Sequence, residues 1–321
     1  MTDKIWVVLF LIYGSAVYAV SDSNDVVTEL IQDNHFTQGF RVIAPKHGAR
    51  IVEGYLNRNS HTEPAWDLVQ WHSRYSIWGI KPQELNDNAK LYANKTKSIT
   101  ICPPGREWSD LILMLDSRPE FQGKFRQDGQ PWPHLLVEQT VTKCPSMADL
   151  NSLKFHIEAK LLESECDTSE GYRQSTHTAQ VPFVLTIQNC NKNSPGYGDF
   201  GWFIIPLYDH RYRDWPEYIA QDTADPSQKM IYTPGAKACG VRSLHDRDWV
   251  TVDTEILQIL IKGIEESWKR GYLAGSRDLN DYRISSINLG WEVTGLAKAS
   301  MQIRNLSLKA AVKRSDKNTL H

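Results

Sequence analysis

The sequence lacks the short motifs that mark several large enzyme classes. It contains no G-x-S-x-G turn around a nucleophilic serine, no phosphate-binding loop, no H-E-x-x-H zinc motif and no glycine-rich dinucleotide fingerprint. These absences exclude serine hydrolases of that type, kinase-like NTPases, zincins and Rossmann oxidoreductases.

Cysteine is sparse and unclustered. There is no C-x-x-C pair and no histidine-rich neighbourhood, so the sequence offers little support for a zinc site. A bridge between Cys166 and Cys190 is the first choice for a disulfide. The alternative is that every thiol is reduced, because a chain of this size can be stable without disulfide bonds. The five cysteines are Cys102, Cys144, Cys166, Cys190 and Cys239.

A concentrated charge is also missing. The formal net charge of −2 does not suggest a nucleic-acid-binding surface. No cofactor is predicted, and calcium as a structural ion is left open, although no dense Asp/Asn loop suggests a site for it. The oligomeric state is left open as well.

Long apolar runs are absent after the N-terminus, where Lys4 precedes the apolar segment Ile5–Ile12 and small residues lead to Ala19. This layout predicts a signal peptide over residues 1–19 and a secreted or periplasmic protein, with no membrane insertion after cleavage. An uncleaved anchor is the alternative, but the run is shorter than the roughly 20 residues of a membrane span. Residues 20–310 are predicted to form a single β-sandwich domain, and residues 311–321 a flexible basic tail.

The rest of the chain is rich in alternating segments typical of strands with one buried face. With turns such as Ser194-Pro-Gly196 between them, these segments predict an all-β protein: an antiparallel β-sandwich of jelly-roll, concanavalin-like type. The predicted strands are Gly39–Ala44, Arg50–Leu56, Trp66–Ile77, Leu91–Ile101, Asp110–Leu115, Leu135–Val141, Leu153–Leu162, Val181–Gln188, Phe200–Tyr208, Lys229–Tyr232, Trp249–Val252, Ile284–Val293 and Ala299–Leu308.

One amphipathic helix is predicted over Asp253–Arg270. Apolar residues recur there at helical spacing, Asp253 or Thr254 can cap the start, and Gly271 can end it. We expect this helix to cover one edge or close one end of the sandwich.

The strand predicted at Trp66–Ile77 has two chemically different faces. With side chains alternating, Gln70, His72 and Arg74 share the polar face. An imidazole can remove a proton, while a guanidinium and an amide can stabilise a neighbouring acid group. The pattern predicts the floor of a site for proton abstraction beside a uronic-acid carboxylate. Ordinary polar residues facing solvent are the alternative.

A second polar cluster follows the apolar strand Phe200–Tyr208. Tyr208 is a candidate proton donor to a leaving glycosidic oxygen, and Asp209, Arg211 and Tyr212 are candidate sugar-binding residues, because loops at strand ends often carry function. An Asp–Arg ion pair that pins a loop is the alternative.

Two carboxylates, Glu138 and Glu292, are predicted on strands where they can face a groove, and Asn288 shares the polar face of its strand with Glu292. We treat all three as candidate substrate-binding residues. A two-carboxylate glycosidase requires such a pair of acids about 5–10 Å apart.

The triplet Gln70-Trp71-His72 resembles the Q-x-H strand of alginate-lyase-type polysaccharide lyases, which are concanavalin-like jelly-rolls. In that family the glutamine neutralises the uronate and the histidine assists proton removal, which implies these roles for Gln70 and His72. The family's Arg-Ser/Thr-Glu-x-Arg strand and its Tyr-Phe-Lys strand are absent. The chain also resembles secreted bacterial β-sandwich proteins with a GWEV-type strand, here Gly290–Val293.

These observations favour a secreted protein that grips an extended polysaccharide on a concave sheet. The 11 tryptophans suit sugar faces, although they also suit sandwich cores. The alternatives are a lyase that cleaves a uronate-containing glycan by β-elimination and, behind it, a two-carboxylate glycoside hydrolase.

Overall fold

The computed structural model describes residues 25–58, 62–103, 109–222 and 229–313. The predicted signal peptide and the last eight residues of the predicted tail lie outside these ranges. The first three tail residues belong to the last strand, which continues to Lys313, so the predicted start of the tail at residue 311 is wrong.

The described chain forms 17 strands and one α-helix, with three single 3₁₀ turns between them. The strands are β1 Asp25–Glu29, β2 Phe40–Ile43, β3 Val52–Leu56, β4 Trp66–Val69, β5 Gln83–Glu84, β6 Lys90–Ala93, β7 Lys97–Ile101, β8 Leu111–Asp116, β9 His134–Thr140, β10 Leu150–Cys166, β11 Ala179–Asn189, β12 Phe200–Asp209, β13 Tyr218–Gln221, β14 Met230–Thr233, β15 Val250–Glu255, β16 Tyr282–Val293 and β17 Ala297–Lys313. The helix, α1, spans Leu257–Lys269.

The strands form two sheets, which confirms the predicted fold class, an all-β sandwich of jelly-roll type with one helix. The eight-stranded sheet has the order β15-β10-β17-β8-β7-β6-β5, with β1 added alongside β17. The nine-stranded sheet has the order β13-β14-β12-β11-β16-β9-β4-β2-β3. Pairing is antiparallel except between β12 and β14 and between β2 and β4.

The core lies between the inner faces of the two sheets. Phe155 of β10 and Phe183 of β11 pack there with ring centroids 4.5 Å apart. Trp291 of β16 is fully buried, and its indole N–H donates to the Leu113 carbonyl of β8 at 2.9 Å. Burial of such large apolar side chains is the main force that holds two sheets face to face.

The helix α1 contacts β10 of one sheet and β12 and β14 of the other, so it closes one edge of the sandwich as expected. Its predicted start is wrong, because Asp253 and Thr254 belong to β15. The first helical N–H, that of Leu257, is instead bound by the Glu255 carboxylate at 3.0 Å. Gly271 follows the helix with a φ of 81°, as the C-terminal signal predicted.

Two other predicted strands require correction. The segment Leu91–Ile101 is not one strand but the hairpin β6–β7. The segment Trp66–Ile77 is a strand only as far as Val69, after which the chain turns at His72 with a φ of 58°. The polar stripe expected on that strand therefore does not form.

Among the described residues, no helix combines the length and the apolar character needed to cross a bilayer.

Candidate functional site

The outer face of the nine-stranded sheet carries three rows of residues that run across the strands. The middle row, here called the floor row, crosses six neighbouring strands, a distance of roughly 24 Å at strand spacing. It is apolar and buried beneath its neighbours, with Trp71 packed against one end. Its members are Ile43, Val69, Leu136, Gly290, Pro182 and Pro206.

The first flanking row, the charge-paired row, consists of Arg41, Asp67, Glu138 and Asn288. Arg50, from the loop between β2 and β3, reaches over it. The Arg50 guanidinium donates to Glu138 at 2.8 Å and to Asp67, which also accepts from Arg41 at 2.5 Å. Two carboxylates thus share two guanidinium groups, and their charges are compensated.

The second flanking row, the acid row, consists of His134, Glu292, Gln180 and Asp209. It lies about 14 Å from the charge-paired row, because four residue steps along each strand separate the two. Gln180 donates from its amide to the Glu292 carboxylate at 3.1 Å. Asp209 is bound by Arg211 at 2.6 Å and by the Thr178 hydroxyl at 2.8 Å.

Glu292 differs from Asp67, Glu138 and Asp209, because its carboxylate accepts from an amide and theirs accept from guanidinium groups. Burial raises the pKa of Glu292 to about 7, and the Gln180 hydrogen bond only partly opposes this rise. A carboxyl group with such a pKa is about half protonated at pH 7 and can donate a proton. Strong shifts of this kind are a feature of functional sites.

Asp222, directly after β13, also acts on Glu292. Three strands separate β13 from β16, roughly 19 Å in a flat sheet. The charge of Asp222 nevertheless raises the pKa of Glu292.

His134 lies directly opposite Glu292, on β9, and its pKa is lowered rather than raised. Burial first, and then the neighbouring His72, lower the pKa of His134 to about 3, so its ring is neutral. The ring lies among aromatic groups, 5.5 Å from Trp132 and 6.1 Å from His72 between centroids. Opposite shifts on facing groups are the pattern by which one site holds a proton donor and a neutral acceptor.

Two buried atoms of these rows have no hydrogen-bond partner within the described ranges: His134 Nδ1 in the acid row and Asn288 Oδ1 in the charge-paired row. An unpaired buried polar atom is costly. Both atoms are therefore positions where a ligand hydroxyl or a water molecule would be stabilising.

The structure does not bring the predicted Gln70, His72 and Arg74 together. Gln70 is fully buried, and its amide donates to the Ile43 carbonyl at 3.1 Å and to Ser76 Oγ at 2.8 Å. Arg74 donates to the Glu120 carbonyl at 2.7 Å. Of the three, His72 lies nearest the acid row, stacked on His47 at 4.8 Å and facing His134.

The second predicted cluster is divided between the two faces of the sheet. Tyr208 points into the sandwich, where its hydroxyl donates to Ser164 at 2.9 Å and its ring packs on Trp291. Burial raises the pKa of Tyr208 to about 12. Asp209 and Arg211 form the ion pair that was the alternative interpretation, and Tyr212 packs beneath Arg211.

Sequence reasoning placed Glu138, Asn288 and Glu292 on the outer face but missed His134, Gln180, Arg50 and Asp222. His134 and Gln180 occupy polar positions of alternating strands, so strand parity was a usable signal for them. Arg50 and Asp222 lie just outside strand ends, and no local pattern points to them.

The predicted bridge between Cys166 and Cys190 is wrong, because all five cysteines are free. Burial raises the pKa of each thiol, which disfavours the thiolate needed by a nucleophile. Within the ranges that the structure describes, no group of three or more His, Cys, Asp or Glu side chains is placed to hold a metal ion.

No protein-family model and no curated protein sequence matches this chain. Similar solved structures include a family 12 xyloglucanase from Bacillus licheniformis, with TM-score 0.41 and 9% identity over 72% of this chain and 97% of that one. The endoglucanase cel12A from Rhodothermus marinus has TM-score 0.39 and 9% identity, over 73% and 97% of the two chains. The xyloglucanase domain of NopAA, an effector from Sinorhizobium fredii, has TM-score 0.35 and 12% identity, over 74% and 100%. Likeness at this level does not define an activity for this chain.

Proposed function

We propose that the protein hydrolyses a polysaccharide that lies across the outer face of the nine-stranded sheet, with Glu292 as the proton donor. The observation that carries this proposal is the buried Glu292 carboxyl, which is held by an amide and has a pKa raised to about 7. A buried acid without a cation is costly to the fold, so its presence favours a role in chemistry.

The shape and composition of the outer face support an extended polymer as the substrate. The floor row crosses six strands, and polar side chains line both of its sides. The unpaired Asn288 Oδ1 and His134 Nδ1 offer acceptors to hydroxyl groups. Trp71 and Trp132 supply flat apolar rings beside them. A secreted location, predicted from residues 1–19, fits a substrate outside the cell.

Hydrolysis requires a second carboxylate besides the proton donor, and Asp222 is the acid whose charge acts on Glu292. In the proposed reaction, Glu292 gives its proton to the glycosidic oxygen as the bond from that oxygen to the anomeric carbon breaks. Asp222 accepts a proton from water while the water oxygen bonds to the anomeric carbon. The neutral His134 accepts a hydrogen bond from the water or from a sugar hydroxyl.

A glycan-binding protein without catalytic activity is the second candidate. It is favoured by the residue opposite Glu292, which is His134 rather than a carboxylate, and by the ion pairs that occupy Asp67 and Glu138. The β-elimination alternative has less support, because Gln70 and Tyr208 are committed to contacts in the interior.

The test is incubation of the purified protein with neutral β-glucans, xylans and uronate polymers, while reducing ends and unsaturated products are both followed. We expect new reducing ends without ultraviolet absorbance from an unsaturated sugar. Glu292→Gln and Asp222→Asn should each slow the release of reducing ends by at least about 100-fold.

The matched control is Glu163→Gln, which removes an acid of the other sheet that is paired with Lys298 at 2.8 Å. It should retain wild-type activity. Unsaturated product would contradict the proposed hydrolysis and support a lyase. Glycan binding with no product of either kind would support the second candidate, a non-catalytic binding protein.

A further inference from the structure

The loop of residues 70–77, here called the Trp71 loop, leaves the nine-stranded sheet after β4 and is closed by its own buried glutamine. The Gln70 side chain donates to Ser76 Oγ at 2.8 Å and accepts from the Ile77 N–H at 3.0 Å. Because these bonds satisfy both ends of the loop, its backbone keeps a compact turn without strand pairing.

A buried ion pair of the other sheet holds the middle of the Trp71 loop. Lys97 of β7 is fully buried, and its ammonium group donates to Ser73 Oγ at 2.5 Å and to the Tyr75 carbonyl at 2.5 Å. Glu120, in the turn after β8, lies 3.3 Å from that ammonium group.

Glu120 binds the same loop through both of its carboxylate oxygens. It accepts from the Ser73 hydroxyl at 2.6 Å and from the Arg74 backbone N–H at 2.6 Å. Burial lowers the pKa of Lys97, and Glu120 opposes this shift. Removal of one partner would leave an unpaired buried charge, which is strongly unfavourable, so the pair resists any displacement of the loop.

The Trp71 loop brings two rings to the end of the acid row. The Trp71 carbonyl accepts from the His134 N–H at 3.0 Å, and the Trp71 ring packs on the floor row. The His72 ring lies 4.8 Å from His47 and 6.1 Å from His134. The charge of His47 lowers the pKa of His72, and the charges of His72 and His47 lower the pKa of His134.

We infer that Lys97 and Glu120 are positioning residues for the acid row: from the far sheet, they fix the loop that seats Trp71 and His72 against His134. This role rests on the proposed function for its catalytic meaning. The geometric part, that the ion pair sets the place of His72, stands independently of any activity.

The test is an NMR titration of the histidine rings in the full chain, with the His72 signal assigned from a His72→Gln variant. In the wild type, burial and then His47 hold the pKa of His72 below its ordinary value of 6.5. The double variant Lys97→Met/Glu120→Leu removes both charges at similar volume, so it avoids an unpaired buried charge. We expect its His72 pKa to move up toward 6.5, and the rate of glycan cleavage to fall by up to about 100-fold through misplacement.

The control is Glu158→Gln/Arg304→Met, which removes an ion pair of 2.7 Å between β10 and β17, strands that do not pair with β7. It should leave the His72 pKa unchanged even where it lowers the melting temperature. If the first double variant does not fold, Ser73→Ala is the second test, since it keeps both charges and removes the one hydroxyl that contacts both Lys97 and Glu120. An unchanged His72 pKa in a folded variant of the loop network would overturn the inference, and a wild type that cleaves no glycan would overturn only the proposed function.

Discussion

Glu138 and Glu292 are the same residue type on neighbouring strands of one sheet face, yet their surroundings differ. Burial raises the pKa of both. The Glu138 carboxylate accepts from the Arg50 guanidinium at 2.8 Å, whereas the Glu292 carboxyl accepts from the Gln180 amide at 3.1 Å. The first acid is therefore part of a charge-compensated cluster, and the second is still about half protonated at pH 7.

Partner chemistry, and not burial alone, therefore separates the two acids. A guanidinium stabilises the ionised form and favours a fixed ion pair. An amide leaves most of the desolvation penalty in place. Four measurements test the contrast between the two glutamates.

The largest effect is expected from Glu292→Gln. Loss of a general acid should reduce the rate of glycan cleavage by roughly 10²–10⁴-fold, whereas Glu138→Gln should reduce it by less than about tenfold, because it keeps the shape of the charge-paired row. Initial rates of reducing-end release measure both. Equal losses in the two variants would remove the distinction.

The second prediction concerns stability against pH. The pKa of Glu292 is raised from 4.5 to about 7 on folding, so the folded state binds the proton more tightly than the unfolded state. This contribution is complete below pH 4.5 and is lost as pH rises through about 7, which amounts to roughly 3 kcal/mol. Urea unfolding at about pH 5 and about pH 8 should show this loss relative to Glu292→Gln. Parallel pH profiles for the two proteins would contradict it.

The third prediction tests the compensated acid. Arg50→Met leaves Asp67 and Glu138 with fewer donors, so the free energy of unfolding should fall by roughly 2 kcal/mol. Adding Glu138→Gln to Arg50→Met should recover part of the loss, as a double-mutant cycle would measure. Strictly additive changes in the free energy of unfolding would mean that Arg50 and Glu138 do not stabilise each other.

The smallest effect is expected from Gln180→Leu. The amide hydrogen bond lowers the pKa of Glu292 against the effect of burial. Its removal should move the alkaline limb of the pH–rate profile upward by less than about one unit, because such a bond contributes about 1 kcal/mol. A downward shift would show that another group controls the limb.

The alternation of side chains along each strand allowed most of what could be predicted about the sandwich and its outer face. Alternation placed Asn288 and Glu292 on one face of β16, and the structure has them there. Parity failed after Val69, because Gln70 and Ser73 bind the chain into a turn through side-chain contacts with Ser76 and Glu120. Alternation in sequence cannot distinguish such a turn from a continued strand.

Local sequence patterns also could not show which charged and polar side chains pair with each other. Arg50 and Glu138 are 88 positions apart, and Gln180 and Glu292 are 112 apart. Whether Cys166 and Cys190 meet likewise depends on the separation of strand ends, and the structure leaves both free.

Local sequence patterns are sufficient to predict a two-sheet β-sandwich edged by one helix, because side-chain periodicity dictates which face of each segment is buried. Which acid meets a guanidinium and which meets an amide depends on the folded chain as a whole. Proton affinity depends on contacts within a few ångströms, and those contacts are made by residues far apart along the chain.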